Sequence, residues 1–318
     1  MDVLRRLLLG SPILLFSSAA ALALSPEPPD TRSWKQVTRD FLTHEVRSES
    51  PSDGEADGRR LKELNPKRAA AFLIPFLGKD RPRGMRVKAI GALGWASFQE
   101  AIPALCAIAK DEKEDVLLRR YALCPGLCYT KNAQAEATAI SLSTHREVFI
   151  RIYAYYVLSH QGTDKAVEVL ASRLQADKPL IHELISALSR SKHERAGRMV
   201  FDLVDFSTVR RDENVLQAYA AAMDRHRIPE AEEHMLALAT QQPTRSREAL
   251  HALRYFASFP REEVVPGLIA AIDARTGGGE ELYEPVMAFI NSPKISAESK
   301  KKLSACIESG KVTEPYEW

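Results

Sequence analysis

Four cysteines, Cys106, Cys124, Cys128 and Cys306, are the first residues in this chain whose type could do chemistry. Two thiols can close a disulfide, bind a soft metal or exchange with other disulfides, and spacing and compartment decide which. Cys124-Pro-Gly-Leu-Cys128 has three residues between its thiols. That is one more than the redox-active Cys-x-x-Cys pair, and no strand–helix–strand pattern surrounds it. Two structural readings stay open: a disulfide among Cys106, Cys124 and Cys128 in an oxidising compartment, or small apolar residues on packed helices. Cys306 has no evident partner.

Histidine beside glutamate is the second pattern. His44-Glu45, His182-Glu183 and His193-Glu194 set metal-ligand types side by side. A metal needs three or four converging ligands, and only His182, Glu183, His193 and Glu194 fall on the two helices of one expected hairpin. They are the ligand set of a metal-dependent enzyme reading, against solvated helix-face residues. His226 and His234 lie among Glu230, Glu232 and Glu233 at no recognised ligand spacing. No Gly-rich phosphate loop, Gly-x-Ser-x-Gly elbow or His-Glu-x-x-His helix occurs. These patterns give no catalytic residue and imply no metal or cofactor.

Arginines gather near the expected inter-helix turns: Arg195 and Arg198, Arg210-Arg211, and Arg225 with Arg227. If equivalent turns align, these six form a basic ridge for an anionic polymer. Asp and Glu on the same turns would instead neutralise them. The whole chain, with 44 basic and 42 acidic side chains, has a net charge of +2. A nucleic-acid binder ordinarily shows a marked basic excess, so that class is disfavoured.

The elements that would carry these residues are helical. In 318 residues, 45% are hydrophobic and only 7% aromatic, a balance rich in Ala and Leu that suits closely packed helices. The chain opens with Arg5-Arg6, an apolar run from Leu7 to Leu24 and the small residues Ala21 and Ala23. This is the pattern of an export signal covering residues 1–23. Pro12 interrupts the run and argues against a permanent span, so no membrane span is expected after signal removal. The expected location is periplasmic or secreted, with inner-membrane anchoring by an uncleaved signal as the rival. Residues 24–58 read as a Pro-rich, acidic linker with one short helix around Trp34, Val37, Phe41 and Leu42. Within it, 48–58 lacks any apolar residue larger than Ala and reads as a loop.

From residue 59 to 276 amphipathic stretches alternate with short polar breaks. Met85, Ala89, Ala92, Leu93 and Ala96 line one helical face; Ile102, Leu105, Cys106 and Ala109 line a second. Similar pairs follow roughly every 30–35 residues. One has Val148, Ile152, Tyr155 and Tyr156 facing Val167, Leu170 and Leu174. The segment Ala101-Ile102-Pro103-Ala104-Leu105 is echoed by Val264-Val265-Pro266-Gly267-Leu268. Gly277-Gly278-Gly279 breaks the rhythm, and 277–318 would supply capping helices and a tail.

The run from Val87 to Gly94, then Glu100 to Leu105, then Asp111-Glu112 and Glu114-Asp115-Val116, resembles a HEAT-type repeat of the short, phycobilin-lyase-like kind. The likeness implies an all-α, right-handed α-α superhelix, or armadillo-like solenoid, of about six stacked helix pairs. Among HEAT-type enzymes, deoxyhypusine hydroxylase holds a di-iron centre with His-Glu pairs at corresponding positions of adjacent repeats. Here two pairs fall within one unit and the third precedes the array. The expectation is a non-catalytic, exported protein-interaction scaffold with a protein or peptide partner on a concave face.

Overall fold

The computed structural model describes residues 31–43, 50–240, 247–274 and 280–315. Among these residues every regular element is helical. The chain divides into one unit of Arg32–Glu314 and another of Met1–Thr31 with Pro315–Trp318. The second falls almost wholly outside the described residues, as do the export signal, His44-Glu45 and the triple glycine. No helix among the described residues is long and apolar enough to cross a membrane.

Within Arg32–Glu314 the helices are α1 (Trp34–Thr43), α2 (Glu55–Leu64), α3 (Pro66–Leu73), α4 (Arg83–Trp95), α5 (Ile102–Lys110) and α6 (Val116–Tyr121). They continue with α7 (Ala133–Leu142), α8 (Val148–Gln161), α9 (Asp164–Ala176), α10 (Ile181–Arg190), α11 (Arg195–Leu203) and the single turn α12 (Phe206–Val209). The last are α13 (Glu213–His226), α14 (Glu232–Thr240), α15 (Arg247–Ser258), α16 (Val265–Asp273), α17 (Tyr283–Asn291) and α18 (Ala297–Glu308). From α4 onward first and second helices alternate along the chain, and α8 with α9, α10 with α11, α15 with α16 and α17 with α18 pack directly. The first helices α4, α6, α8, α10, α13, α15 and α17 pack in succession as one layer, and the second helices lie behind them.

Local chemistry explains the boundaries. The Asp115 side chain caps α6 by accepting from the Leu117 amide at 2.7 Å, and Asn132 caps α7 through the Gln134 amide at 2.8 Å. The two echoed Pro segments occupy the same place in their units. Pro103 and Pro266 each stand in the first turn of a second helix, directly after a short 3-10 turn, where proline removes no intrahelical hydrogen bond.

An arginine ladder ties successive pairs together. Arg86 donates to the Leu77 carbonyl behind it at 3.1 Å and to Glu114 ahead of it at 3.0 Å. Arg119 donates to the Ala109 carbonyl at 3.0 Å and meets His145 at 3.2 Å. Arg151 donates to the His145 carbonyl at 2.9 Å and to Asp177 at 2.8 Å. Each sits in the early turns of a first helix, so one side chain closes both junctions of its unit.

The stretch 48–58, expected as a loop, is ordered from residue 50. A 3-10 turn at Pro51–Gly54 runs into α2, so the helical array starts before residue 59. Its packing is made by backbone rather than by apolar side chains. A Cβ on Gly54 would overlap the Lys88 carbonyl, one on Gly58 would overlap Ala92, and one on Gly91 would overlap the Pro51 carbonyl. Apolar periodicity cannot register such contacts.

Helix α1 folds back onto this end. Val37 and Phe41 are fully buried, and the Phe41 ring lies 5.8 Å from Phe72 and 5.5 Å from Phe76. The buried Lys88 ammonium donates to the Phe41 carbonyl at 2.8 Å and lies 3.7 Å from Asp57, which also pairs with Arg32 at 2.9 Å.

Candidate functional site

The four thiols are free and lie in different surroundings. Cys106 and Cys128 are buried, while Cys124 is half-buried at a kink within Ala122–Leu127, where its backbone is extended (φ −141°, ψ 116°) and breaks the helix after α6. Cys106 belongs to α5 and bonds weakly to the Gln134 carbonyl at 3.8 Å. Cys124 and Cys128 are close enough to share a hydrogen bond, and burial pushes the Cys128 thiol well up. The structure therefore brings Cys124 and Cys128 together as neighbours, with no disulfide between them.

Around this turn lies a row of side chains that sequence periodicity did not single out. Phe149, Tyr153, Tyr156 and His160 occur at i, i+4, i+7 and i+11 along α8, one stripe of that helix. Tyr155, on another face, is fully buried and its hydroxyl donates to Ser143 and Asp177 at 3.2 and 2.9 Å. Tyr156, expected in the core with Tyr155, is half-buried instead. Helix α8 has neighbours on several sides, so more than one of its faces is apolar, and a single apolar stripe was the wrong template.

Arginines from the flanking first helices lie against this stripe. The Arg120 guanidinium of α6 sits 4.5 Å from the centre of Phe149 and 5.0 Å from that of Tyr153, and donates to the Tyr153 hydroxyl at 3.1 Å. Its Nε is buried without a hydrogen-bond acceptor. Arg190, at the end of α10, lies 4.9 Å from the centre of Tyr156. Tyr129 extends the row: its ring stacks on Trp95 at 4.6 Å and meets His160 edge-on at 5.2 Å.

Electrostatically the row is neutral apart from its cations. Burial raises the Tyr153 and Tyr156 phenols, with Arg120 and Arg190 respectively pulling them back. Desolvation lowers His160, and the nearby positive charges of Arg190 and Lys192 lower it further. At neutral pH these phenols and this imidazole are uncharged, while a guanidinium is a cation. Neither Arg120 nor Arg190 forms an ion pair with an acid among the described residues.

The expected basic ridge is built differently. Arg195 pairs with Asp164 at 3.2 Å and Glu168 at 3.7 Å. Arg198 binds Asp202 at 3.0 Å and also Glu230, and Arg227 binds Asp224 at 2.7 Å. Arg210 lies over the Phe206 ring at 5.7 Å, Arg211 follows α12, and Arg225 sits in the last turn of α13. Half of the six arginines meet acids on neighbouring turns, so they do not make an unbroken basic strip.

The proposed metal ligands are also dispersed. His182 contacts only its neighbour Glu183, at 3.7 Å. His193, in the loop before α11, meets Asp164 at 3.1 Å, and Glu194 is exposed at the α11 N-terminus. Among the described residues no three His, Cys, Asp or Glu side chains gather as a metal-ligand group.

The fold and this row define an all-α protein of helical pairs with an aromatic and arginine-bearing surface. No family model and no curated protein matches the chain. Among solved structures it is similar to an engineered protein from the Northeast Structural Genomics Consortium. That likeness has 17% identity and a TM-score of 0.44, covering 85% of this chain and 81% of that one. It carries no argument about function.

Proposed function

We propose that this chain is a non-catalytic interaction scaffold: HEAT-like helix pairs stacked as a right-handed superhelix that presents the first-helix layer to a protein or peptide partner. The observation that carries the reading is the row of half-buried Tyr156, Tyr129, Arg120 and Arg190 over the buried Tyr153. Tyrosine and arginine give large contact area together with directional hydrogen bonds, and both are enriched where binding energy concentrates. The dispersed His182, Glu183, His193 and Glu194 favour this over the metal-dependent enzyme. The charge pattern and small residues of 1–23 support export to the periplasm or beyond.

The test is photocross-linking in the producing cell, with a benzophenone amino acid in place of His160 and, separately, in place of Glu168 on α9. A defined adduct from position 160 that is missing from position 168 supports the scaffold. Failure to form any adduct at 160, or catalytic turnover by the isolated chain, overturns it.

A further inference from the structure

We infer that the row on α8 binds an extended acidic peptide, its carboxylates seated on Arg120 and Arg190. The inference rests on the scaffold reading and names the chemistry of the partner. Most arginines that cross between units are already satisfied: Arg86 holds Glu114, Arg151 holds Asp177, Arg195 holds Asp164 and Arg198 holds Glu230. Arg120 and Arg190 depart from that pattern, having aromatic faces where the others have acids. A guanidinium stacked on a ring keeps its charge and leaves its N–H edge in the ring plane open to a carboxylate.

The Arg120 Nε, buried and without an acceptor, is a donor that an incoming oxygen atom would satisfy. Tyr153 and Tyr156, 6.2 Å apart and edge to face, separate the two cations along one helix face. Carboxylates on an extended chain can reach both, with an apolar or aromatic side chain lying on the half-buried Tyr156 ring between them, Tyr153 being buried beneath. Lys192 adds positive charge at the His160 end.

Nucleic acid would also stack on aromatics, but it needs cations along a continuous backbone track. Arg151 and Arg195 are held by acids and Arg119 by a carbonyl and His145, which favours a partner with few, spaced charges.

The experiment uses the full chain and three fluorescein-labelled dodecapeptides of alternating Glu and Tyr, Gln and Tyr, or Lys and Tyr. A labelled oligo-thymidine is the fourth probe. Fluorescence anisotropy at low salt should show the Glu-Tyr peptide binding most tightly and weakening as salt rises. Arg190→Gln and Arg120→Gln should each weaken it about tenfold, whereas Arg198→Gln, which removes an acid-paired arginine, should leave it unchanged. Thermal unfolding of each variant checks the fold, and Arg190→Gln alone decides the matter if Arg120→Gln does not fold. Equal binding of the three peptides, undiminished binding by Arg190→Gln, or tighter binding of the oligonucleotide overturns the inference. If the position-160 adduct still forms while the acidic peptide fails, the partner chemistry is wrong and the scaffold stands. If both fail, the scaffold falls as well.

Discussion

The guanidinium of Arg86 grips the Glu114 carboxylate through two hydrogen bonds, 3.0 and 2.5 Å long, across the junction between two helix pairs. Both side chains are 7% exposed. The hydrogen bonds from Arg86 hold the Glu114 carboxyl below its ordinary 4.5, against the opposing effect of burial.

A group with a depressed folded pKa stabilises the fold above its unfolded value, and that contribution fades as pH falls through the folded value. Arg86→Ala strands the carboxylate in a buried site, at a cost of about 3–5 kcal/mol near neutral pH. The loss should shrink below pH 4.5, where Glu114 can take up a proton. Urea unfolding of both proteins across that range measures it, and a pH-independent difference would refute the account.

Lys88 gives the opposite pH signature. Burial lowers its ammonium from the ordinary 10.5, and Asp57 offsets this in part. The folded chain then releases that proton before the unfolded chain does, so stability rises with pH between the two values. Relative to Lys88→Met, the native protein should gain stability as pH rises toward the ordinary lysine value of 10.5. Parallel stability profiles for the two proteins would show that Lys88 is not desolvated.

Gly91→Ala should destabilise the array. The new methyl would overlap the Pro51 carbonyl, and a backbone atom cannot swing aside as a side chain would. Overpacking of this kind costs about 1–3 kcal/mol. The urea midpoint reads it directly, and an unchanged midpoint would mean that the Pro51–Gly54 turn does not dock on α4.

Alkylation tests the thiols. In the folded protein Cys124 should react before Cys128, because Cys124 is half-buried whereas Cys128 is 1% exposed and burial disfavours the Cys128 thiolate. In urea without reductant all four thiols should label. Two unlabelled cysteines would instead reveal a disulfide.

Much of the array was legible in the chain. The Ala-rich stretch ending in Leu93-Gly94 and the Pro103 and Pro266 starts act within one or two helical turns, where sequence distance and spatial distance agree. The capping helices were legible for the same reason, at Tyr283–Asn291 and Ala297–Glu308. Residues 50–58 were not, because their burial depends on glycines that let another helix approach.

The sequence by itself therefore determined that the described chain is helical, the rhythm in which apolar helix faces recur, and which residue types could react. Tertiary structure alone decided which of those residues meet. Arg195 and Asp164 are 31 residues apart and joined, while Arg190 lies over Tyr156 with no acid beside it. The rotation of each helix pair against the next sets that difference. It arises from the summed packing of many side chains, so no local pattern announces it. Whether an arginine is spent on the fold or left for a partner was decided there.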